Sequence, residues 1–132
     1  MKLSIANLGL PEFFDRKSDI IYGLFHAFTD LGYNTVVEHN QINCKSLNIV
    51  IGSDVIASDA NAVRQLMQPG VDYAIYEVEN FNGNTKNYRA NFNLENYLHL
   101  LHGAKFIITP YLHNVPHLSA SCGADKVHYA RW

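Results

Sequence analysis

The chain has 132 residues, 48% of them hydrophobic and 17% charged, with a formal charge of −2 at pH 7; that is the size and make-up of one folded domain, and it excludes an intrinsically disordered segment. Its ten lysines and arginines are scattered along the chain, so a nucleic-acid backbone finds no basic stripe to bind and nucleic acid is not an expected partner. No run approaches the roughly 18 apolar residues that cross a bilayer, and the opening MKLSIANLGLPEFFDRKSD reads as a strand followed by polar and acidic positions, not a leader, so a cytoplasmic location without a membrane span is expected.

Lys2 to Asn7 is apolar enough for a buried strand and runs into Gly9 and Pro11, a turn. Ser18 can cap the next segment, with Asp19 suited to its N-terminal end, while Ile20, Ile21, Leu24, Phe25, Phe28 and Leu31 recur at steps of three and four. That spacing predicts an amphipathic helix, stopped by Gly32 in a left-handed conformation. Thr35 to Glu38 is β-branched enough for a second strand, and Leu47 to Ile51 is a nearly continuous apolar run, as expected for a central strand covered on both faces. The connection HNQINCKS between them is short for a parallel crossover, which usually takes about a dozen residues or more. It demands either a tight loop without a full helix or a local departure from parallel order. In that connection lies Cys44; Cys122 is far along the chain, and neither has a second Cys or a His near it at zinc-ligand spacing, so both are expected as free thiols.

Ser58 or Asp59 can cap a helix through Val63, Leu66 and Met67, which ends at Pro69 and Gly70. Tyr73 to Val78 is the fourth strand. The Asn-rich stretch from Glu79 to Asn93 is about as long as a structureless connection becomes without a reason, and it is the segment expected to be mobile or functional. Asn93 caps a helix whose face is Leu94, Tyr97, Leu98 and Leu101 and whose stop is Gly103; Lys105 to Thr109 is the fifth strand, halted by Pro110. A short helix follows Asn114, with Pro116 tolerated in its first turn, and Lys126 to Ala130 is the sixth strand.

Strands alternating with helices predict a single α/β domain over residues 1–132, a three-layer sandwich with a mostly parallel sheet of about six strands, Rossmann-like or flavodoxin-like. The expected strand order is 2-1-3-4-5-6. Ligands of such sheets bind beyond the carboxyl ends of the strands, near the point where the order reverses. That rule selects Asn7 and Gly9, His39 and Asn40, Gly52, Ser53 and Asp54, Glu77, Glu79 and Asn80, Pro110, Tyr111 and His113, and the terminal Arg131 and Trp132.

Gly9 and Gly52 are compatible with a phosphate cradle, but neither GxGxxG nor GxxxxGK[ST] occurs, and ordinary turn geometry accounts for both. Glu77 and Glu79 lie two apart; on a continuing strand they would share a side and raise each other's pKa, and off it they are loop-entry carboxylates that bind hydroxyls or solvent. His113 is placed where a catalytic histidine could stand, and His117 follows one turn on; His99 and His102 share a helical spacing, yet a metal needs a third ligand and an orienting shell, so capping and surface roles are favoured and no metal is expected. Phe13, Phe14, Phe81, Tyr88 and Phe92 sit in or near loops, where packing competes with stacking on a sugar or base. A nucleophilic hydrolase is disfavoured because GxSxG is absent. A phosphoacceptor receiver is disfavoured because NLGLP carries no acid after the first strand and Asp54 lies beyond the third.

The succession KLSIANLG, a helix ending LGY, NTVVEHNQ, LNIVIGSDVI and YAIYEVEN, followed by KFIITPYLHN and KVHYARW, resembles the N-terminal Rossmann-like half of bacterial GT-B glycosyltransferases. The resemblance covers nearly the whole chain through pattern, without a diagnostic motif. It implies an acceptor-side domain whose loops at Gly9, Gly52, Glu77 and His113 line the acceptor, inactive without a donor-binding second α/β domain or partner, and without need of a bound cation or cofactor. The alternatives are a stand-alone flavodoxin-like module for a nucleotide or small molecule, and a subunit that pairs through an exposed edge or apolar patch.

Overall fold

The computed structural model describes residues 1–8, 12–79 and 92–131, and the side chains of all of these except 12–16. Six strands, β1 (Lys2–Asn7), β2 (Asn34–His39), β3 (Leu47–Ile51), β4 (Asp72–Tyr76), β5 (Ile107–Thr109) and β6 (Val127–Tyr129), form one sheet in the order β2-β1-β3-β4-β5-β6, and every neighbouring pair is parallel. Among the described residues the helices are α1 (Glu12–Asp30), α2 (Ser53–Ala57), α3 (Ala60–Leu66), α4 (Leu94–Gly103) and α5 (Asn114–Cys122), and a 3₁₀ turn at Ala124–Lys126 leads into β6. The fold class and the strand order are those the hydrophobic periodicities predict.

Right-handed crossovers decide which face each helix takes. The step from β1 to β2 moves one way across the sheet and all later steps move the other, so among the described helices α1 is alone on its face. Ile5, Ile49, Ile51, Ala74 and Tyr76 pack there against Ile21 and Leu24 of α1. The opposite face, with Ala6, Val50, Ile75, Ile107 and Val127, is covered by Ile56, Leu66, Tyr97, Leu101 and Leu118 from α2 to α5. This two-sided covering explains why β3 reads as an unbroken apolar run.

Helix α1 begins six residues before the expected cap, so Ser18 is an interior residue. The dipeptide Pro11-Glu12 carries the start signal in sequence, since proline followed by an acid is a helix-start pattern. Its end is as predicted. Gly32 adopts φ 85° and donates to Thr29 O at 2.9 Å, while the Tyr33 amide donates to Phe28 O at 3.0 Å. That is a Schellman stop, with Phe28 and Tyr33 in edge contact at 6.1 Å. Leu31 is the hinge residue of this stop and is 73% exposed, so it does not belong to the buried stripe.

The short link from β2 to β3 crosses without a helix and keeps parallel order. Asn48, fully buried in β3, holds it. Its Nδ2 donates to the carbonyls of Asn43, Ser46 and Asp72 at 3.0, 3.2 and 3.0 Å, and its Oδ1 accepts from the Asn43 amide at 2.9 Å. One side chain thus supplies partners that a crossover helix would have supplied internally.

Asp59 caps α3 through the amides of Asn61 and Ala62, and Asn93 caps α4 through that of Asn96, both as expected. The buried face of α4 is Tyr97, Leu100 and Leu101, with Leu94 57% exposed. Gly103 is the last helical residue, followed by extended Ala104. Its lack of a side chain serves a close approach, because a Cβ there would collide with the Tyr73 hydroxyl, which donates to Leu100 O at 2.8 Å.

Candidate functional site

Because the sheet is parallel throughout, the carboxyl ends of all six strands lie along one rim, and the order reverses between β1 and β3. Asn7 and His39, paired in register, end β1 and β2. Asn40 turns there with φ 52° and donates to Asn7 O at 2.9 Å. Gly9 and Asn80 lie outside the described residues, as do Phe81, Tyr88 and Trp132.

The centre of the rim is the exit of β3. Gly52 adopts φ 77°, a conformation that an L side chain resists by about 1 to 2 kcal/mol. Its backbone is also crowded. A Cβ there would stand 2.9 Å from Lys17 Nζ, 3.4 Å from Asp54 Oδ1 and 3.5 Å from Val78 Cγ2. Lys17 reaches this point from α1, is 7% exposed, and donates to Ile51 O at 2.9 Å. Glycine therefore allows a cation from one face and a carboxylate from α2 to converge on the end of β3.

Glu77 follows β4 and is completely buried. Its amide still donates to Ile108 O in the ladder, at 2.8 Å, but its carboxyl turns inward under α2. Oε2 accepts from the hydroxyl and, at 3.4 Å, from the amide of Ser53; Oε1 accepts from the Glu79 amide at 3.1 Å. Burial pushes the pKa of this carboxyl up to about 7; Asp54 adds to the rise, while the donors from Ser53 and Glu79 oppose it. Glu79 itself is exposed. The two glutamates do not share a side, because strand geometry ends at Tyr76 and the chain then curls around the Glu77 carboxyl. The second glutamate acts on the first through its backbone.

The turn after β5 completes the rim. Thr109 Oγ1 accepts from the Tyr111 amide at 3.3 Å and from Asn114 Nδ2 at 3.3 Å, and the same Nδ2 donates to the Glu79 carbonyl at 2.6 Å. Thr109 and Asn114 are fully buried. Tyr111 and exposed His113 lie with ring centroids 5.7 Å apart. Tyr76, beneath them on the α1 face, has its pKa pushed up to about 12 by burial and by the neighbouring Tyr111.

The structure thus joins Ser53, Glu77 and Glu79 into one hydrogen-bonded unit, with Gly52 next to it in the chain and donating to Tyr76 O at 3.0 Å, and brings Tyr111 and His113 to it through Asn114. His39 stands at the β2 end of the rim, away from that unit. Phe92 packs against the core with its ring 5.4 Å from that of Tyr97. Among the described residues no group of three or more His, Cys, Asp or Glu is placed to hold a metal ion, Cys44 and Cys122 are free, and no helix is long and apolar enough to cross a membrane. Lys17 and Asn114 escaped the strand-end rule because both project from helices, where sequence shows only a polar position and a helix start. No protein-family model, curated protein or solved structure matches the chain.

Proposed function

We propose that this chain is the acceptor-side domain of a GT-B-like glycosyltransferase, which seats a glycan or similar hydroxyl-rich acceptor on the strand-end rim and is inactive without a donor-binding half. The observation that carries the reading is the reversal of strand order between β1 and β3 with Gly52, Ser53, Glu77, Glu79 and Lys17 gathered beside it, the place where open α/β sheets take ligands. The glycosyl part of the reading is supported by the succession of segments from KLSIANLG to KVHYARW.

The chemistry at the rim suits recognition rather than covalent catalysis. Ser53 is fully buried and its hydroxyl donates to Glu77, so it has no path to an acyl or glycosyl carbon as a nucleophile. Carboxylates, a histidine and backbone groups at a fixed edge are hydrogen-bond partners for sugar hydroxyls. In a GT-B-like arrangement the acceptor held here would face a donor sugar across a cleft formed with a second α/β domain.

A thermal-shift screen of the purified chain tests the reading, since a ligand specific for the folded state raises Tm by mass action. Methyl glycosides or short oligosaccharides are expected to raise Tm at millimolar concentration, with no sugar transfer from nucleotide sugars by the chain alone. A rise with flavin or free nucleotides and none with glycosides would replace this reading with a stand-alone nucleotide-binding module.

A further inference from the structure

At the amino edge of the sheet, opposite the rim, the register seats Leu47 of β3 between Leu3 of β1 and Asp72 of β4. Lys2 and Ser46 precede those strand positions by one residue, and Cys44 and Lys45 reach the same place from the β2–β3 link. With Leu47 and Asp72 they line an open cleft of about 410 Å³. Its charge is one-sided. Asp72 is already offset by Lys105 at 3.0 Å, whereas among the described residues neither Lys2 nor Lys45 has a carboxylate partner. The cleft is therefore positive on a chain whose formal charge is −2, and a concave surface lined by one sign of charge concentrates counter-ions. A second observation is independent of charge. Ser46, which lines this cleft, is 6% exposed, and its Oγ has no hydrogen-bond partner among the described residues. Its backbone is fixed, the amide donating to Asn43 O at 3.2 Å and the carbonyl accepting from Asn48 Nδ2 at 3.2 Å. A buried hydroxyl left unpaired costs free energy, and a ligand acceptor in the cleft would remove that cost.

We propose that this cleft binds the oxyanion group of a small molecule, a phosphate or a carboxylate, with Lys2 and Lys45 supplying the charge and the Ser46 hydroxyl donating a directional hydrogen bond. Lysine suits the first role as a point charge with three rotatable donors. A hydroxyl that donates to an anion makes a charge-assisted bond, stronger than one between neutral groups. The site lies at the opposite ends of the strands from the rim and stands whether or not the rim holds a glycan.

The experiment is an amide NMR titration of the full chain with inorganic phosphate and, in parallel, with acetate, at constant ionic strength so that general screening does not change. Saturable shifts at Lys2, at Cys44 to Leu47 and at Asp72 are expected with at least one of the two anions. Lys2→Gln and Lys45→Gln each weaken that binding by about threefold or more. Arg64→Gln, on α3 and outside the cleft, removes the same charge and leaves affinity unchanged. Ser46→Ala weakens binding by about threefold without lowering Tm, because the hydroxyl it deletes has no partner in the folded chain. Shifts that grow without saturating for both anions overturn the proposal, and so does an affinity of Lys45→Gln or Ser46→Ala equal to that of Arg64→Gln.

Discussion

Glu77 has no exposed surface, and its carboxyl is pushed up to about 7 by burial, against 4.5 for an ordinary glutamate. The folded state therefore keeps this proton to higher pH than the unfolded chain does. Stability from this group is fully present below about pH 4.5 and is lost as pH rises to about 7, a total of about 3 kcal/mol. Comparing urea unfolding of the wild type and Glu77→Gln at pH 5 and pH 8 checks this: the stability difference between the two proteins should move by about 3 kcal/mol in favour of the variant at the higher pH. A difference independent of pH would mean that Glu77 does not titrate in that window. Gly52→Ala is expected to cost about 1 to 3 kcal/mol by thermal or chemical unfolding, from φ 77° and because a Cβ there would stand 2.9 Å from Lys17 Nζ. The rule that ligands meet strand ends made Gly52, Ser53, Glu77 and Glu79 visible in sequence. The inward turn of Glu77 was not visible, because it depends on where β4 stops and on a partner 24 positions away.

Among the elements, the β2–β3 link shows what sequence patterns leave out. The link is too short for a crossover helix, and Asn48, a polar residue within an apolar run, takes the place of one. Its carboxamide binds the amide and carbonyl of Asn43 and the carbonyl of Ser46 within the link, and the carbonyl of Asp72, 24 positions away. Asn48→Leu keeps much of the volume but leaves those groups unpaired at a buried site, so a loss of about 3 kcal/mol in urea unfolding is expected. A loss below about 1 kcal/mol would show that water replaces the carboxamide. Helix ends were legible where the signal is local, as in the Gly32 stop and the Asp59 and Asn93 caps. They were not legible where the cause is tertiary. The end of α4 at Gly103 falls where the sequence puts it, but the reason for glycine there, room for the Tyr73 hydroxyl, does not show in sequence, and α2 is too short for periodicity to reveal, although all five of its residues are buried.

Across the whole molecule the layers are unequal. α1 covers the β1 end of its face, while toward the β6 edge Phe106 and Ile108 are half-buried and His128, in edge contact with Phe106, is exposed. The two edges of the sheet also differ. The carboxyl rim carries the Ser53, Glu77, Glu79 and Asn114 network. At the opposite edge an open cleft of about 410 Å³ is lined by Lys2, Cys44, Lys45, Ser46 and Asp72, and of these Asp72 is paired with Lys105 at 3.0 Å. A cleft of that size is large enough for a small ligand, which makes the choice of edge a question of chemistry and topology rather than of volume. Alternation of strand and helix periods was enough to order the strands, and hence to gather the rim, because handedness leaves few arrangements of such a chain.

The most direct test is a crystal structure of the chain with the methyl glycoside that stabilises it most. The sugar is expected at the carboxyl rim, among the residues that follow β3, β4 and β5. A sugar seated instead among Lys2, Cys44 and Lys45 at the opposite edge would contradict it.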